Sequence, residues 1–344
     1  MAKLVDVTQL SAVTQGLLQA LGTPEDLAVQ VAGSLVDAQC VGHESHGMIR
    51  LVEYAGFVES GRLDPAVRAV VDRRTGATAM VDGRHGWGQP ACWLAVDTAR
   101  ELAAAHGTAA VTVRNCNHVG RIGEYVEALA DEGLVGLAWC NAEPAVAPFA
   151  GRNRMLGTNP IAAGIPLGVG SPSLVMDFAT AASAEGKLRV ARATSAPIPE
   201  GLVIDAQGSP ATTADAFYDG GALVPFGGHK GYGLSVMVEM LGGALSGNHP
   251  ATSPEYTHGN GVVVLVLDPG AFVGRQKFSA DTAQCAKALR ESAPVKDGNP
   301  VLVPGDVEHQ QRDARRTSVP VPEQVIDQLT ALADHLGTPA LRLG

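Results

Sequence analysis

"QPACWLAVDTARELAAAHGTAAVTVRNCNHVGRIGEYVEALADEGLVGLAWCN", residues 89–141, is the stretch that decides the fold. Residues 89–107 read as a helix that Gly107 ends, and 108–115 ("TAAVTVRN") as a β-rich strand. A second helix over 123–133 and a second strand over 134–141 follow. Helix, strand, helix, strand at this spacing predicts an α/β layer structure.

Working outward, residues 8–60 are helical in pattern. Leu10, Val13, Leu17, Leu18 and Leu21 repeat at helical spacing. Thr23-Pro24-Glu25-Asp26 offers an N-cap, a proline at the first helical position and acids in the first turn, so a second helix runs from there to about Cys40. A third is expected from near Ser45 to before Gly61. Short β-prone runs flank Thr75-Gly76, and a glycine-rich loop follows. Downstream, 161–167 and 173–180 read as strands, 231–247 as a small-residue helix, 261–272 as a buried strand and 322–337 as an amphipathic helix. Residues 290–320 read as an irregular arm with a turn at Pro304-Gly305. The expected division is a helical region 1–75, joined by 290–344, and an α/β region 76–289.

Composition narrows the function. Of 344 residues, 46% are hydrophobic and 17% charged, enough apolar mass for a sizeable core. The net charge of −10 argues against general binding to nucleic acid or anionic membrane. Five cysteines without a CxxC pair argue against a disulfide framework and a structural zinc site. With no apolar run of spanning length and no leader pattern at the N-terminus, the expected location is cytoplasmic.

Chemistry concentrates in "GHESHGMIRLVEY", residues 42–54. A zinc-protease helix needs HExxH, and here the histidines are three apart. A hydrolase elbow needs GxSxG after a strand, and here an extra residue precedes the serine in a helical context. A helix starting at Ser45 instead stacks His46, Arg50 and Tyr54 along one stripe. The stripe is either a solvated face or a set suited to a small 2-hydroxy or 2-oxo acid. In the second case arginine grips the carboxylate and histidine, titrating near neutrality, moves the proton. His118 stands at a strand end, where ligand groups gather in α/β folds. The turn Gly227-Gly228-His229-Lys230-Gly231 opens a helix and suits a pyrophosphate.

These segments, in order, resemble the malate/L-lactate dehydrogenase family, also called sulfolactate dehydrogenase-like. The resemblance rests on Ser45-His46-Gly47 with Arg50 and Tyr54, "NCNHVG" (115–120), "LGTNP" (156–160), "MDFAT" (176–180) with Gly186-Lys187, "IPEGLVIDAQGSPATT" (198–213), "PFGGHKGYGL" (225–234) and "PGDVE" (304–308). It implies a non-Rossmann, mixed-sheet α/β/α nucleotide-binding core, a homodimer, and hydride transfer between NAD or NADP and a small 2-hydroxy acid. No GxGxxG or GxxxxGK[ST] loop occurs in the chain, in keeping with that fold. The resemblance assigns catalysis to His46, Ser45 and His118, and substrate contacts to Arg50, Tyr54, His118, Thr158 and Lys187. It assigns cofactor contacts to His118, Gly120, Arg121, Asn159, Asp177, Phe178, Ala179, His229, Lys230, Gly305, Asp306 and Glu308, with no metal. Arg312, Arg315 and Arg316 either hold a 2′-phosphate or are surface charges. Ala142 stands where some members carry a substrate-contacting serine, so the particular acid is left open. A cyclic-imine carboxylate reductase on the same scaffold is the alternative. The family's imine reductase carries an acid in place of the Lys187 position, which favours the hydroxy-acid reading here. A catalytically inactive binding member is a third reading, opposed by the presence of every site group.

Overall fold

The chain begins with strand β1 (Ala2–Asp6) and three helices, α1 (Val7–Ala20), α2 (Glu25–Cys40) and α3 (Ile49–Glu59), in a computed structural model that describes residues 2–296 and 298–341. The Asp6 carboxylate caps α1 by accepting from the Gln9 amide at 2.8 Å. Pro24, not Thr23, is the cap residue of α2, and the Thr23 hydroxyl is buried without a partner among the described residues. The third helix starts four residues later than expected. Glu44–His46 form a short 3-10 turn, and Gly47 leaves helical geometry with ψ −142°. A side chain at Gly47 would meet Gln39 Oε1 at 2.4 Å, so the turn lies flat on α2. His46 is therefore outside the helix that carries Arg50 and Tyr54, and the expected three-residue stripe is broken.

The central sheet has seven strands. They are β2 (Val70–Thr75), β3 (Thr78–Asp82), β4 (Thr108–Cys116), β5 (Val135–Cys140), β6 (Ile161–Ile165), β7 (Leu174–Phe178) and, much later in the chain, a strand over Asn260–Leu267. That late strand, β11, pairs antiparallel with both β4 and β5. The chain segment β4 to β5 therefore strides over a strand that arrives more than a hundred residues later. Only β3 and β4 pair in parallel, linked by the long crossover helix α4 (Gly88–His106). The result is a mixed sheet in the order β2-β3-β4-β11-β5-β6-β7. Helix α4 ends where expected, at Gly107 with φ 77°.

Alternate residues of β4 and β11 (Ala109, Val111, Val113; Val262, Val264, Val266) are buried in one cluster with Val96 and Leu102 of α4. Helix α5 (Gly123–Asp131) adds Tyr125, Val126 and Leu129. Burying each such side chain contributes roughly 1.5–3 kcal/mol. A second cluster joins α1, α2 and α3 to helix α11 (Glu323–Leu336) through Leu10, Leu35, Leu51, Ile326 and Leu329. A third, smaller one (Val146, Leu188, Ile198, Val203, Phe217, Leu223) holds residues between β5 and the late strand. Its elements are α6 (Glu185–Ala193), α7 (Asp215–Tyr218) and the short sheet β10-β8-β9, formed by Ala222–Leu223, Val203–Ile204 and Pro210–Ala211.

Helix α8 (His229–Val238) continues as a π-helical turn over Glu239–Leu245. The arm expected to be irregular is ordered in part. Helix α9 (Arg275–Arg290) precedes it, and within it lie α10 (Asp306–Ala314) and the start of β12 (Ser318–Pro322), which pairs antiparallel with β1; its residue 297 lies outside the described residues. Helix α10 has no buried residue, so hydrophobic periodicity could not announce it. Ion pairs hold it instead: Arg312 bonds Asp37 of α2 at 2.9 Å and Glu127 of α5 at 2.6 Å.

Candidate active site

The 3-10 turn, α3, the N-terminus of α4 and the loop after β4 converge on two imidazoles. The His46 and His118 rings stack with centroids 5.4 Å apart. Tyr54, fully buried on α3, bonds His118 Nδ1 at 2.7 Å and receives the Gln89 side-chain amide at 3.0 Å. Since that amide nitrogen only donates, the phenol oxygen accepts it and passes its own proton to His118 Nδ1. The Gly120 amide also donates to His118 Nδ1, at 3.3 Å. Nδ1 of His118 is thus an acceptor, and its neutral ring carries the proton on Nε2. His46 is held differently: its Nδ1 lies 3.0 Å from Ser45 Oγ, and donation to that oxygen leaves Nε2 as a free base.

Glycine permits the approach of these segments. A Cβ at Gly88 would sit 2.3 Å from the carbonyl oxygen of Asn117 and 2.4 Å from that of His118. At Gly186 it would sit 2.8 Å from Ser45 Cβ, which brings the Gly186-Lys187 turn of α6 against the 3-10 turn. Lys187 itself is exposed.

Arg50 donates from Nε to the Ser45 carbonyl at 2.7 Å and from Nη1 to Glu53 at 2.5 Å; its Nη2 has no partner among the described residues. It therefore braces the 3-10 turn while keeping one donor for a ligand. Burial, reinforced by the Arg50 charge, depresses His46 to about 3. The same two causes hold His118 well below the usual histidine range, with His46 and Arg62 adding to it. Both rings are therefore neutral at neutral pH, unlike the near-neutral titration expected for His46 from its residue type alone. Burial also raises the Tyr54 phenol above its usual range, so it stays protonated.

The other residues assigned by resemblance fall into separate groups. Gly120 borders His118, and Arg121 is buried between Asp37 (2.9 Å) and Glu127 (3.0 Å), with Nε and Nη1 unpartnered among the described residues. Asp177 accepts the Gly123 amide at 2.7 Å, and burial raises its carboxyl. Glu308 meets His43 at 3.3 Å, three residues from His46. Gly305 presses on the β7 edge, where the Val175 amide donates to Pro304, and Asp306 is taken up by Arg290 at 2.6 Å. Asn159 is fully buried and engaged on both ends, accepting from the Ala142 amide and donating to Glu239 at 2.7 Å. Its neighbour Thr158 offers its carbonyl to Thr180. Phe178 is partly exposed and edge-on to Phe226, and Ala179 packs on the third cluster. His229 and Lys230 are exposed at the start of α8, where His229 meets Phe149 edge-on. Of the three arginines considered for a 2′-phosphate, Arg312 is fully committed to Asp37 and Glu127 and Arg315 bonds the Gln39 carbonyl. Arg316 is exposed beside Asp313.

The sequence reading missed Gln89, Glu53 and Arg62. Gln89 stands in "GWGQP", and a buried glutamine at a helix start leaves no periodic signal. Among the described residues no group of three or more His, Cys, Asp or Glu is placed to hold a metal, and no helix is long and apolar enough to cross a membrane.

The α8 start fits a phosphate-bearing cofactor. Gly227 and Gly228 have φ 56° and 64°, a Cβ at Gly227 would meet open space, and no side chain caps the helix. Free amides at a helix N-terminus beside a lysine are an anion site.

The geometry thus brings together two neutral histidines and an arginine with an unused donor, and leaves an uncapped helix start on α8. Residues 5–330 match the family model described as malate/L-lactate dehydrogenase. The L-sulfolactate dehydrogenase of Methanocaldococcus jannaschii is 33% identical, over 93% of this chain and 94% of that protein. A solved structure titled as a putative malate/lactate dehydrogenase from E. coli superposes with a TM-score of 0.91 at 33% identity, covering 98% of this chain and 96% of that one. The Δ1-piperideine-2-carboxylate reductase of Pseudomonas syringae does so with a TM-score of 0.85 at 30% identity, covering 96% and 100%. The chain belongs to the malate/L-lactate dehydrogenase family. It is an oxidoreductase with the mixed α/β fold of that family.

Proposed function

We propose that this enzyme uses NAD or NADP to interconvert a small 2-hydroxy acid and its 2-oxo acid, with His46 as the proton-transfer group. The observation that carries the reading is the pair of stacked imidazoles beside Arg50, each held at Nδ1 by a hydroxyl of its own segment or of α3, so that Nε2 is left for a ligand. In this reading Arg50 takes the substrate carboxylate on its free donor. Oxidation of the hydroxyl needs a base, and His46 Nε2 is that base once Nδ1 donates to Ser45. His118, locked by Tyr54 and Gly120, points Nε2–H at the same oxygen as a neutral donor that polarises the carbonyl in the reverse direction. Carboxylate binding neutralises the Arg50 charge that depresses His46, so the substrate itself makes the base stronger.

The nicotinamide, when bound, supplies or accepts the hydride at the substrate carbon. Gly228, His229 and Lys230 at the α8 start are the residues that would hold its phosphates. The exposed apolar side chains of Leu234, Met237, Met240 and Leu245 along α8 and its π-helical turn support a homodimer. All five cysteines are free, four of them buried, which supports a reducing, cytoplasmic setting.

A cyclic-imine carboxylate reductase is the second reading, favoured by the likeness to the piperideine-carboxylate enzyme. One screen separates the two. The purified protein is given NADH or NADPH with a panel of 2-oxo acids and with a cyclic imine acid, and nicotinamide absorbance is followed. Turnover of oxo acids is expected; turnover of the imine alone would transfer the assignment, and turnover of neither would remove it.

A further inference from the structure

Helices α2 and α5 do not close on each other. Between them lies a groove of about 350 Å³, lined from α2 by Gly33, Ser34 and Asp37 and from α5 by Glu124, Glu127 and Asp131. Each set recurs at helical spacing, so each is one face of its helix. Bare backbone at Gly33 keeps the groove open, since a Cβ there would meet nothing within 4 Å.

The carboxylates of the groove are unequally matched. Asp37 and Glu127 share the guanidiniums of Arg121 and Arg312. Asp131, at the exposed rim, accepts from the Ser173 hydroxyl. Glu124 is left over. It is only 8% exposed, its Oε1 is buried with no partner among the described residues, and neither guanidinium donates to it. Burial raises its carboxyl against the pull of the Arg121 charge. No lysine lines the groove, so the donor that this oxygen lacks has to come from outside the chain.

The kind of donor follows from what is free. A hard metal ion needs several oxygens at once, and among the described residues no group of three or more His, Cys, Asp or Glu is placed to hold one. A guanidinium fork needs paired oxygens, and those of Asp37 and Glu127 are already taken. An ammonium is satisfied by separate single acceptors. Glu124 Oε1 is one, and the buried Ser34 hydroxyl on the facing helix is a second. Trp93 of α4 adds an aromatic wall, suited to a cation and to an alkyl stem. The volume is at the low end for ligand pockets and fits a chain of a few carbons.

We propose that the α2–α5 groove is a binding site for a small aliphatic primary amine, with the ammonium held by Glu124 and Ser34 and the stem against Trp93. The site is separate from the pocket of the two imidazoles but backs on to it. Glu124 Oε1 stands 3.7 Å from the point a Cβ on Gly120 would occupy; Gln89 Cγ stands 3.5 Å from the same point, and the Gln89 amide donates to Tyr54.

The test is a ligand-observed NMR titration of the purified protein with butylammonium chloride, against sodium chloride at equal ionic strength and against 1-butanol, the neutral counterpart. Saturable binding with a dissociation constant of about a millimolar is expected for five heavy atoms. Glu124→Gln keeps the shape, removes the charge and should weaken binding about tenfold to a hundredfold. Gly33→Leu, on the exposed side of α2 where leucine is also the better helix former, should fill the groove and abolish binding without touching a carboxylate. Asp131→Asn, at the rim, should change the affinity little. A wild type that shows no saturable binding, or that binds 1-butanol equally well, overturns the proposal. An affinity left unchanged within twofold by Glu124→Gln or by Gly33→Leu overturns it too. So does a loss in Asp131→Asn as large as that in Glu124→Gln, which would reduce the effect to general attraction by an acidic surface. None of these outcomes bears on the oxidoreductase reading.

Discussion

His46 and His118 show how position rewrites the chemistry of a residue type. Free histidine titrates near 6.5, and burial beside Arg50 takes His46 down to about 3. Between those two values the unfolded chain holds a proton that the folded chain lacks, so stability falls as pH drops through that window. His118, depressed by the same causes, acts in the same direction. Glu127, held down to about 2 with Arg312 and Arg121 against its own burial, adds a further loss below its ordinary value of 4.5. Glu124 opposes them: burial raises it from 4.5 to about 7, so its contribution declines as pH rises across that range. Two histidines against one glutamate predict a melting temperature several degrees lower at about pH 5 than at pH 7. In the His46→Ala/His118→Ala double variant the two buried imidazoles are gone while Glu124 remains, so the difference should shrink or change sign. A wild type equally stable at both values would show that the imidazoles are not buried neutral.

At the scale of elements, the arm around α10 is fixed by charge rather than by apolar contact. Arg312 ties α10 to Asp37 of α2 and Glu127 of α5, and Glu308 on the same helix meets His43 just ahead of the 3-10 turn that carries His46. Arg312→Ala leaves two carboxylates with Arg121 alone, and should cost about 2 kcal/mol in chemical denaturation, below the figure for a fully buried pair because Arg312 is partly solvated. The α8 start makes a separate prediction. Lys230→Ala should weaken NADH or NADPH binding in a fluorescence titration, by about threefold to tenfold, while the KM for the 2-oxo acid changes little. Equal cofactor affinity in mutant and wild type would make the Gly227–Lys230 turn purely structural. These elements mark the limit of sequence reading. Helices α1, α2 and α11 and strands β4 and β5 are legible because their apolar spacing is periodic, and β11 because its apolar run is continuous. Helix α10 gives no such signal because its interactions are ionic, and the true start of α3 is hidden because nothing in "SHGMIR" shows that Gly47 must lie against Gln39.

In the whole molecule, the site is assembled from segments distant in the chain: the turn at 44–46, α3, the start of α4 and the loop at 117–120. Ser45, His46, Arg50, Tyr54 and His118 were all legible as candidates, from residue chemistry and from ordered motifs. Their relation was not. The helical stripe that joined His46 to Arg50 does not exist, and it is a 5.4 Å ring stack with His118 that completes the group. Gln89, which sets the direction of the Tyr54 hydrogen bond, and Arg62, whose carbonyl accepts from the Asn117 side chain, depend on contacts between segments that no spacing encodes. The order of the sheet is of the same kind, since β11 enters between β4 and β5 from far downstream. We propose that this assembly transfers a proton through His46 as hydride moves. Its most direct test is single-turnover oxidation of bound NADH or NADPH by an accepted 2-oxo acid, in the wild type, His46→Ala and His118→Ala, with cofactor affinity measured in parallel. The account predicts that His46→Ala binds cofactor normally and loses about 10²- to 10⁴-fold in the hydride step, while His118→Ala, which removes a neutral donor, loses less. A His46→Ala enzyme that keeps most of its single-turnover rate, beside a His118→Ala enzyme that has none, would contradict it.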